Sequence, residues 1–142
     1  PQPGHMLNIA ETYGGAPSTT SVGSAYGEAK RLAELLGSQH SQKYGYDFKI
    51  ARCFAFAGKR LNKNGTFAIG NFIRDAINNN DIVIQGDGSS VRSYLYADDL
   101  MVWLLKILFD GKGCDPYNVG SDQAINIREL AEKVRQTLGS KC

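Results

Sequence analysis

Residues 24–56 read "SAYGEAKRLAELLGSQHSQKYGYDFKIARCFAF", and their hydrophobic period changes once, at Gly45. Before it, Ala29, Leu32, Ala33 and Leu36 recur at helical spacing. Ser24 is suited to an N-cap and Gly45 to a stop, so a helix is expected from about residue 25 to 43 with that stripe buried. Beyond it, "DFKIARCFAF" is rich in the residue types that fill a largely buried strand. A helix followed directly by an apolar strand is the unit from which α/β folds are built.

The same helix holds a candidate chemical centre. Tyr26 and Lys30 stand four residues apart and share a face. A phenol with an ordinary pKa near 10 is a poor base at neutral pH unless a cation stabilises its phenolate, and a lysine one turn on can supply that charge. The bland alternative is a packed ring beside a solvated ammonium. Gly27 in the helix interior costs about 1 kcal/mol relative to alanine, which suggests a close approach to the backbone there, for example by a cofactor.

Outward from this unit the alternation continues. "FAIGNFIRDAINNN" (67–80) reads as a helix, with Phe67, Ile69, Phe72, Ile73 and Ile77 as its apolar set and the asparagines as its end. "DIVIQ" (81–85) reads as a short strand, and Asp87-Gly88 as a tight turn into a second strand, "VRSYLY" (91–96). Asp98 or Asp99 can cap an apolar helix over 100–109, "LMVWLLKILF", which is expected to be buried. "PYNVG" (116–120) reads as a strand. In "INIRELAEKVRQTL" (125–138), Asn126 and Glu129 stand as in a capping box, Ile125 and Leu130 as in a hydrophobic staple. Residues 1–23 are rich in Pro, Gly, Ser and Thr and read as an irregular arm.

With 142 residues the chain is expected to form one folding unit. Sixteen basic and fourteen acidic residues, spread without runs, argue against a nucleic-acid or anionic-membrane footprint. The apolar 100–109 segment is too short to span a bilayer and carries Lys106. Cys53, Cys114 and Cys142 are odd in number and widely spaced, and His5 and His40 are the only histidines, so neither a disulfide framework nor a metal centre is expected. That cysteine usage suits a reducing cytoplasm.

Arg92, just beyond a tight turn, has the chemistry to grip phosphate oxygens, and Asn118 stands at a strand end. Either can equally be a surface or turn residue.

Taken in order, "YGEAKRLAE", "IARCFAFAG", "FAIGNFIRDAI" with "IVIQGDGSSVRSYLYADDL", and "YNVGSDQAINIRELAEKV" resemble the extended short-chain dehydrogenase/reductases, specifically the NAD-dependent nucleotide-sugar epimerases and dehydratases. The resemblance runs from about residue 24 through nearly all of the remaining chain. It implies an incomplete Rossmann-like α/β fold, made of the later strands and helices plus the small substrate-binding part. It also implies a division into an arm, 1–23, and a C-terminal portion of the family domain, 24–142.

By position, Tyr26 matches the catalytic tyrosine and Lys30 the lysine that holds the nicotinamide ribose, so both are cofactor-binding as well as catalytic. Asn71, Gln85 and Arg92 match the region enclosing the nucleotide diphosphate of a UDP- or dTDP-sugar, and Asn118 an asparagine beside the nucleotide.

Departures accompany the matches. Where many members read R-x-F-N-x-Y-G-P, this chain keeps Arg52, Phe54 and Gly58 but has Ala55, Ala57 and Lys59. Aligning Tyr13-Gly14 with the pair that follows the catalytic serine or threonine puts Ile9 at the hydroxyl and leaves Glu11, beside Ala10, from the dehydratases' acidic pair. No G-x-x-G-x-x-G precedes Tyr26. The chain is thus expected to be the later part of an enzyme, inactive alone, exposing an apolar face around residues 50–56 and self-associating to cover it. The rival readings are a non-catalytic nucleotide-sugar-binding or assembly module and one half of a split enzyme.

Overall fold

A computed structural model describes residues 8–139; His5 and Cys142 lie outside them. The elements in chain order are a 3-10 turn (Val22–Ser24), α1 (Ala25–Tyr44), β1 (Ile50–Cys53), β2 (Ala55–Ala57), α2 (Ala68–Ile77), β3 (Val91–Tyr96), α3 (Ala97–Asp110), β4 (Pro116–Val119), β5 (Ala124–Asn126) and α4 (Ile127–Leu138). In place of the single folding unit expected from length, the chain forms two compact units, Pro1–Arg52 with Trp103–Val119, and Cys53–Val102 with Gly120–Cys142.

The first unit is built on α1 and the paired strands β1 and β4. Gly45, at φ 72°, ends α1 in the left-handed conformation that favours glycine, and its N–H donates to Ser41 O at 2.8 Å. Ser24 occupies the N-cap position but has helical dihedrals and no side-chain capping bond, because the 3-10 turn already leads the chain into the helix. The Phe48 ring lies against Gly37, where any Cβ would collide with it. Cys114 N–H donates to Phe48 O at 2.7 Å, and Lys49 Nζ bonds Gly111 O.

The second unit is a three-stranded sheet in the order β2-β3-β5 with α2 and α4 beside it. β2 and β3 are parallel, pairing Ala55 with Tyr94 and Ala57 with Tyr96; β3 and β5 are antiparallel, pairing Arg92 with Ile125. Phe72, Ile69 and Ala76 of α2 meet Leu130, Ala131 and Val134 of α4 in the core, with Ile82, Ile84 and Tyr94 packed against it. The capping box forms as expected: Glu129 N–H donates to Asn126 Oδ1 at 2.8 Å, and Asn126 N–H donates to Glu129 Oε2 at 3.1 Å. Helices, strands and a parallel pair give the α/β, partial Rossmann-like class.

Four expectations are corrected. Residues 81–85 form no strand: Ile82 and Ile84 are anchored in the core, yet no ladder reaches their backbone, and β3 pairs with β2 and β5 instead of closing a hairpin with them. The turn itself is present, with Gly86 and Gly88 at φ 92° and 72°. The strand expected over 47–56 is two short strands broken at Phe54, whose ring packs over Gly120. On α1, Leu32 and Leu36 are exposed, so the stripe is uncovered. On α3, only Leu100 and Ile107 are buried while Met101, Val102, Trp103, Leu105, Leu108 and Phe109 face solvent. An all-round apolar helix needs cover on every side, and the described residues supply it on one.

Replacing Phe72 with alanine empties the centre of the α2–α4 core and is expected to cost about 3–5 kcal/mol. Asn126→Ala, which removes only the cap, should cost about 1 kcal/mol. Urea unfolding monitored by circular dichroism reads both, with the order Phe72 before Asn126 as the expected outcome.

Candidate functional site

Tyr26 lies in the first turn of α1 and is 75% exposed, and Lys30 Nζ stands 5.4 Å from its ring centroid. This follows from the i, i+4 spacing, which places the ammonium over the ring face, within cation–π range. Glu34 follows one further turn on. The close approach expected at Gly27 is made by the chain itself: a Cβ there would lie 3.1 Å from Pro17 Cγ. The glycine lets the arm cross the helix, so its presence does not require a cofactor.

Arg52, on β1, ties the unit together. Its Nε and Nη2 donate to the two carboxylate oxygens of Glu34 at 2.9 and 2.7 Å, a two-point pair, and its Nη1 donates to Glu11 O at 2.9 Å. The Arg52 hydrogen bonds hold the Glu34 carboxyl below its ordinary range, outweighing partial burial. Asn118, on β4, donates through Nδ2 to Ile9 O at 2.7 Å and through its backbone N–H to Glu11 Oε1 at 3.0 Å. That backbone hydrogen bond is the first cause of a lowered Glu11 pKa, with the Arg52 charge adding to it. The arm's residues 9–11, the helix and both strands of the first unit thus meet through Arg52 and Asn118. A cavity of about 530 Å³ in this unit is lined by Leu32, Leu35, Ile50 and the Glu34–Arg52 pair.

The other three sequence-predicted residues belong to the second unit and stand on separate segments. Asn71, half-buried on α2, accepts from Arg74 Nη1 at 3.3 Å through Oδ1. Gln85 is exposed in the irregular stretch ahead of the Gly86–Gly88 turn. Arg92, exposed on β3, donates from Nη1 to Val91 O at 2.7 Å, and no carboxylate pairs with it among the described residues. The turn beside it is rigidified by Asp87, whose Oδ1 accepts from Ser89 N–H and Oγ at 2.9 and 2.7 Å, and by Arg128 Nη2, which donates to Asp87 O at 3.0 Å. A cavity of about 860 Å³ in this unit is lined by Tyr94, Ile125, Arg128 and Lys133 and includes none of the three. It is an open hollow along α4, and the chemistry of Arg92 is the better guide to an anion site than its volume.

Glu34 is the residue that sequence reasoning passed over. Its signal was its place on the Tyr26–Lys30 face, one turn further along, opposite an arginine in the following strand.

Residues 7–120 match the family model described as NAD dependent epimerase/dehydratase family. The chain belongs to that family. Among curated relatives, UDP-glucuronic acid decarboxylase 3 of Arabidopsis thaliana is 31% identical over 128 residues, which are 90% of this chain and 37% of that protein. UDP-glucuronic acid decarboxylase 1 of Xenopus tropicalis is 28% identical over 131 residues, 92% of this chain and 31% of that protein. This family chain therefore spans about a third of the length of the relatives it matches.

The fold agrees with solved structures. A dTDP-glucose 4,6-dehydratase from Bacillus anthracis, in complex with NAD, matches with a TM-score of 0.84 at 21% identity, covering 97% of this chain and 42% of that one. A UDP-glucose 4-epimerase from Thermotoga maritima, with UDP-glucose, matches with a TM-score of 0.78 at 23% identity, covering 84% and 38%.

Because the folded Glu34 carboxyl titrates below the ordinary 4.5, its pairing with Arg52 stabilises the chain above that pH and is lost as pH falls through the lower folded value. The pair is partly solvated, so Glu34→Gln should cost about 0.5–1 kcal/mol at pH 7 and less at pH 3. Urea midpoints of wild type and variant at the two pH values test this. An equal loss at both would contradict it.

Proposed function

We propose that this chain supplies the proton-transfer and substrate-holding residues of an enzyme that performs NAD-linked chemistry at a hydroxyl of a UDP- or dTDP-sugar. The observation that carries the reading is the Tyr26–Lys30 pair: an exposed phenol with an ammonium over its face, inside the stretch that matches the family. As the phenolate, which Lys30 Nζ stabilises, Tyr26 Oη takes the hydroxyl proton and becomes the neutral phenol. NAD, when bound, supplies the hydride acceptor. An open phenol with a cation beside it fits the nicotinamide end of that cofactor, and Lys30 would be the residue to hold its ribose.

Arg92, with Asn71 and Gln85 on the same unit, would hold the diphosphate. Support for Arg92 comes from its exposure, the absence of a competing carboxylate among the described residues and the rigid Asp87–Ser89 turn beside it. The Ala55 departure removes the asparagine to which the resemblance assigns a sugar or pyrophosphate contact, so more of the grip falls on Arg92. Neither Cys53 nor Cys114 is in a disulfide, which suits a reducing cytoplasm as the place of action. No helix of the described residues is long and apolar enough to cross a membrane.

Calorimetric titration of the 142-residue chain with UDP-glucose and dTDP-glucose tests the substrate half of this reading. Saturable binding to one of them is expected, weakened about 10- to 100-fold by Arg92→Ala, the loss of one charge-assisted contact. An absence of binding, or an unchanged affinity in the variant, would overturn it.

The exposed Leu32, Leu35 and Leu36 of α1 support self-association in solution. Sedimentation equilibrium at high concentration should give a mass above 15.5 kDa, falling toward it in Leu35→Glu. A wild-type mass of one chain throughout would contradict this.

A further inference from the structure

Residues 9–11 of the arm belong to no helix or strand, yet they are held at three points within the first unit. Asn118 Nδ2 donates to Ile9 O, the Asn118 backbone N–H donates to the Glu11 carboxylate, and Arg52 Nη1 donates to Glu11 O. Arg52 is itself fixed by its two-point pair with Glu34 on α1. Six residues beyond Glu11, Pro17 lies against Gly27, beside Tyr26. The arm therefore runs from a polar anchorage on β1 and β4 to a packed contact on the first turn of α1.

We propose that Asn118 and Arg52 are positioning residues that latch segment 9–11 to β1 and β4, and that Glu11 is the acceptor in this latch and not a proton-transfer group. The assignment differs from what resemblance implied for both residues. Asn118 was expected beside a nucleotide, but an Nδ2 hydrogen and its backbone N–H are both engaged by the arm. Glu11 was the remnant of an acidic pair, but one of its two carboxylate oxygens, Oε1, accepts a main-chain N–H. The geometry also explains why an acidic residue is useful here: a charged acceptor makes a stronger bond to an N–H than a neutral one, with no penalty for an exposed site. The latch does not depend on the nucleotide-sugar reading.

Hydrogen–deuterium exchange on the whole chain, resolved to single amides, tests it. Glu11→Ala and Asn118→Ala should each speed exchange of amides 9–16 by about tenfold or more, with α2 and α4 unchanged. Glu11→Gln keeps an accepting oxygen and should stay within about threefold of wild type. The double Glu11→Ala, Asn118→Ala chain should exchange no faster than the singles, because both belong to one latch.

Wild-type exchange rates in Glu11→Ala, or Glu11→Gln as damaging as Glu11→Ala, would overturn the latch. So would a UDP-glucose affinity lowered by Asn118→Ala but not by Glu11→Ala, since Asn118 would then be a nucleotide contact.

Discussion

One guanidinium decides how the first unit is assembled. Arg52 spends two donors on Glu34 and a third on the Glu11 carbonyl, so α1, β1 and the arm are joined at a single planar group. Lysine could not substitute, because its ammonium lacks the fixed fork that meets both carboxylate oxygens and a carbonyl at once. This polar joint matters because little apolar packing shares its work. Of the hydrophobic residues on α1, Leu32, Leu35 and Leu36 are exposed, and the only side chain of that helix that is buried is Ser41. Where a helix docks without its apolar stripe, direction must come from hydrogen bonds.

The second unit is organised by the opposite means. Phe72 and Leu130 bring α2 and α4 together through a conventional apolar seam, and β3 is held on both edges. Polar groups act there at the ends of elements: the capping box fixes where α4 begins, and the Asp87 and Arg128 bonds fix the turn that precedes β3. Arg92 is consequently presented from a strand with a defined register, Arg92 opposite Ile125, instead of from a loose loop. The anion contact proposed for Arg92 would benefit from that rigidity, because its own flexible stem is then the only part left to order on binding.

Much of this was legible in the residues, and the failures share a cause. Helix α4 could be read because its signals are local: a cap at Asn126 and a capping partner, Glu129, at N3. Helix α2 and the Gly45 stop were legible for the same reason. Strand 81–85 failed because its alternation reports only that Ile82 and Ile84 turn inward, and pairing depends on a neighbour that periodicity cannot name. The helix expected over 100–109 formed, but its burial failed because an all-round apolar composition says that cover is wanted, while the amount of cover present is a tertiary fact. Gly27 shows the third kind of miss: the cost of a helical glycine correctly implied a close approach, but Pro17, of the same chain, makes it. For the site, Tyr26 and Lys30 were legible because the helix itself sets their spacing. Glu34 was not, because its role requires Arg52, which is far in sequence and brought near only by the fold.

The two ways of building a unit bear on how the chemistry is distributed. Tyr26 and Lys30 stand on the unit held by polar joints, and Arg92 on the unit held by an apolar seam. Ion pairs and charge-assisted bonds weaken with acid and salt, whereas a hydrophobic seam responds mainly to temperature and denaturant. The lowered pKa values of Glu11 and Glu34 place the first unit's acid sensitivity at the joint that orders the arm beside Tyr26. The unit carrying Tyr26 and Lys30 is therefore the one whose polar joint weakens in acid below the ordinary carboxylate range, while the strand carrying Arg92 keeps its register on the α2–α4 core.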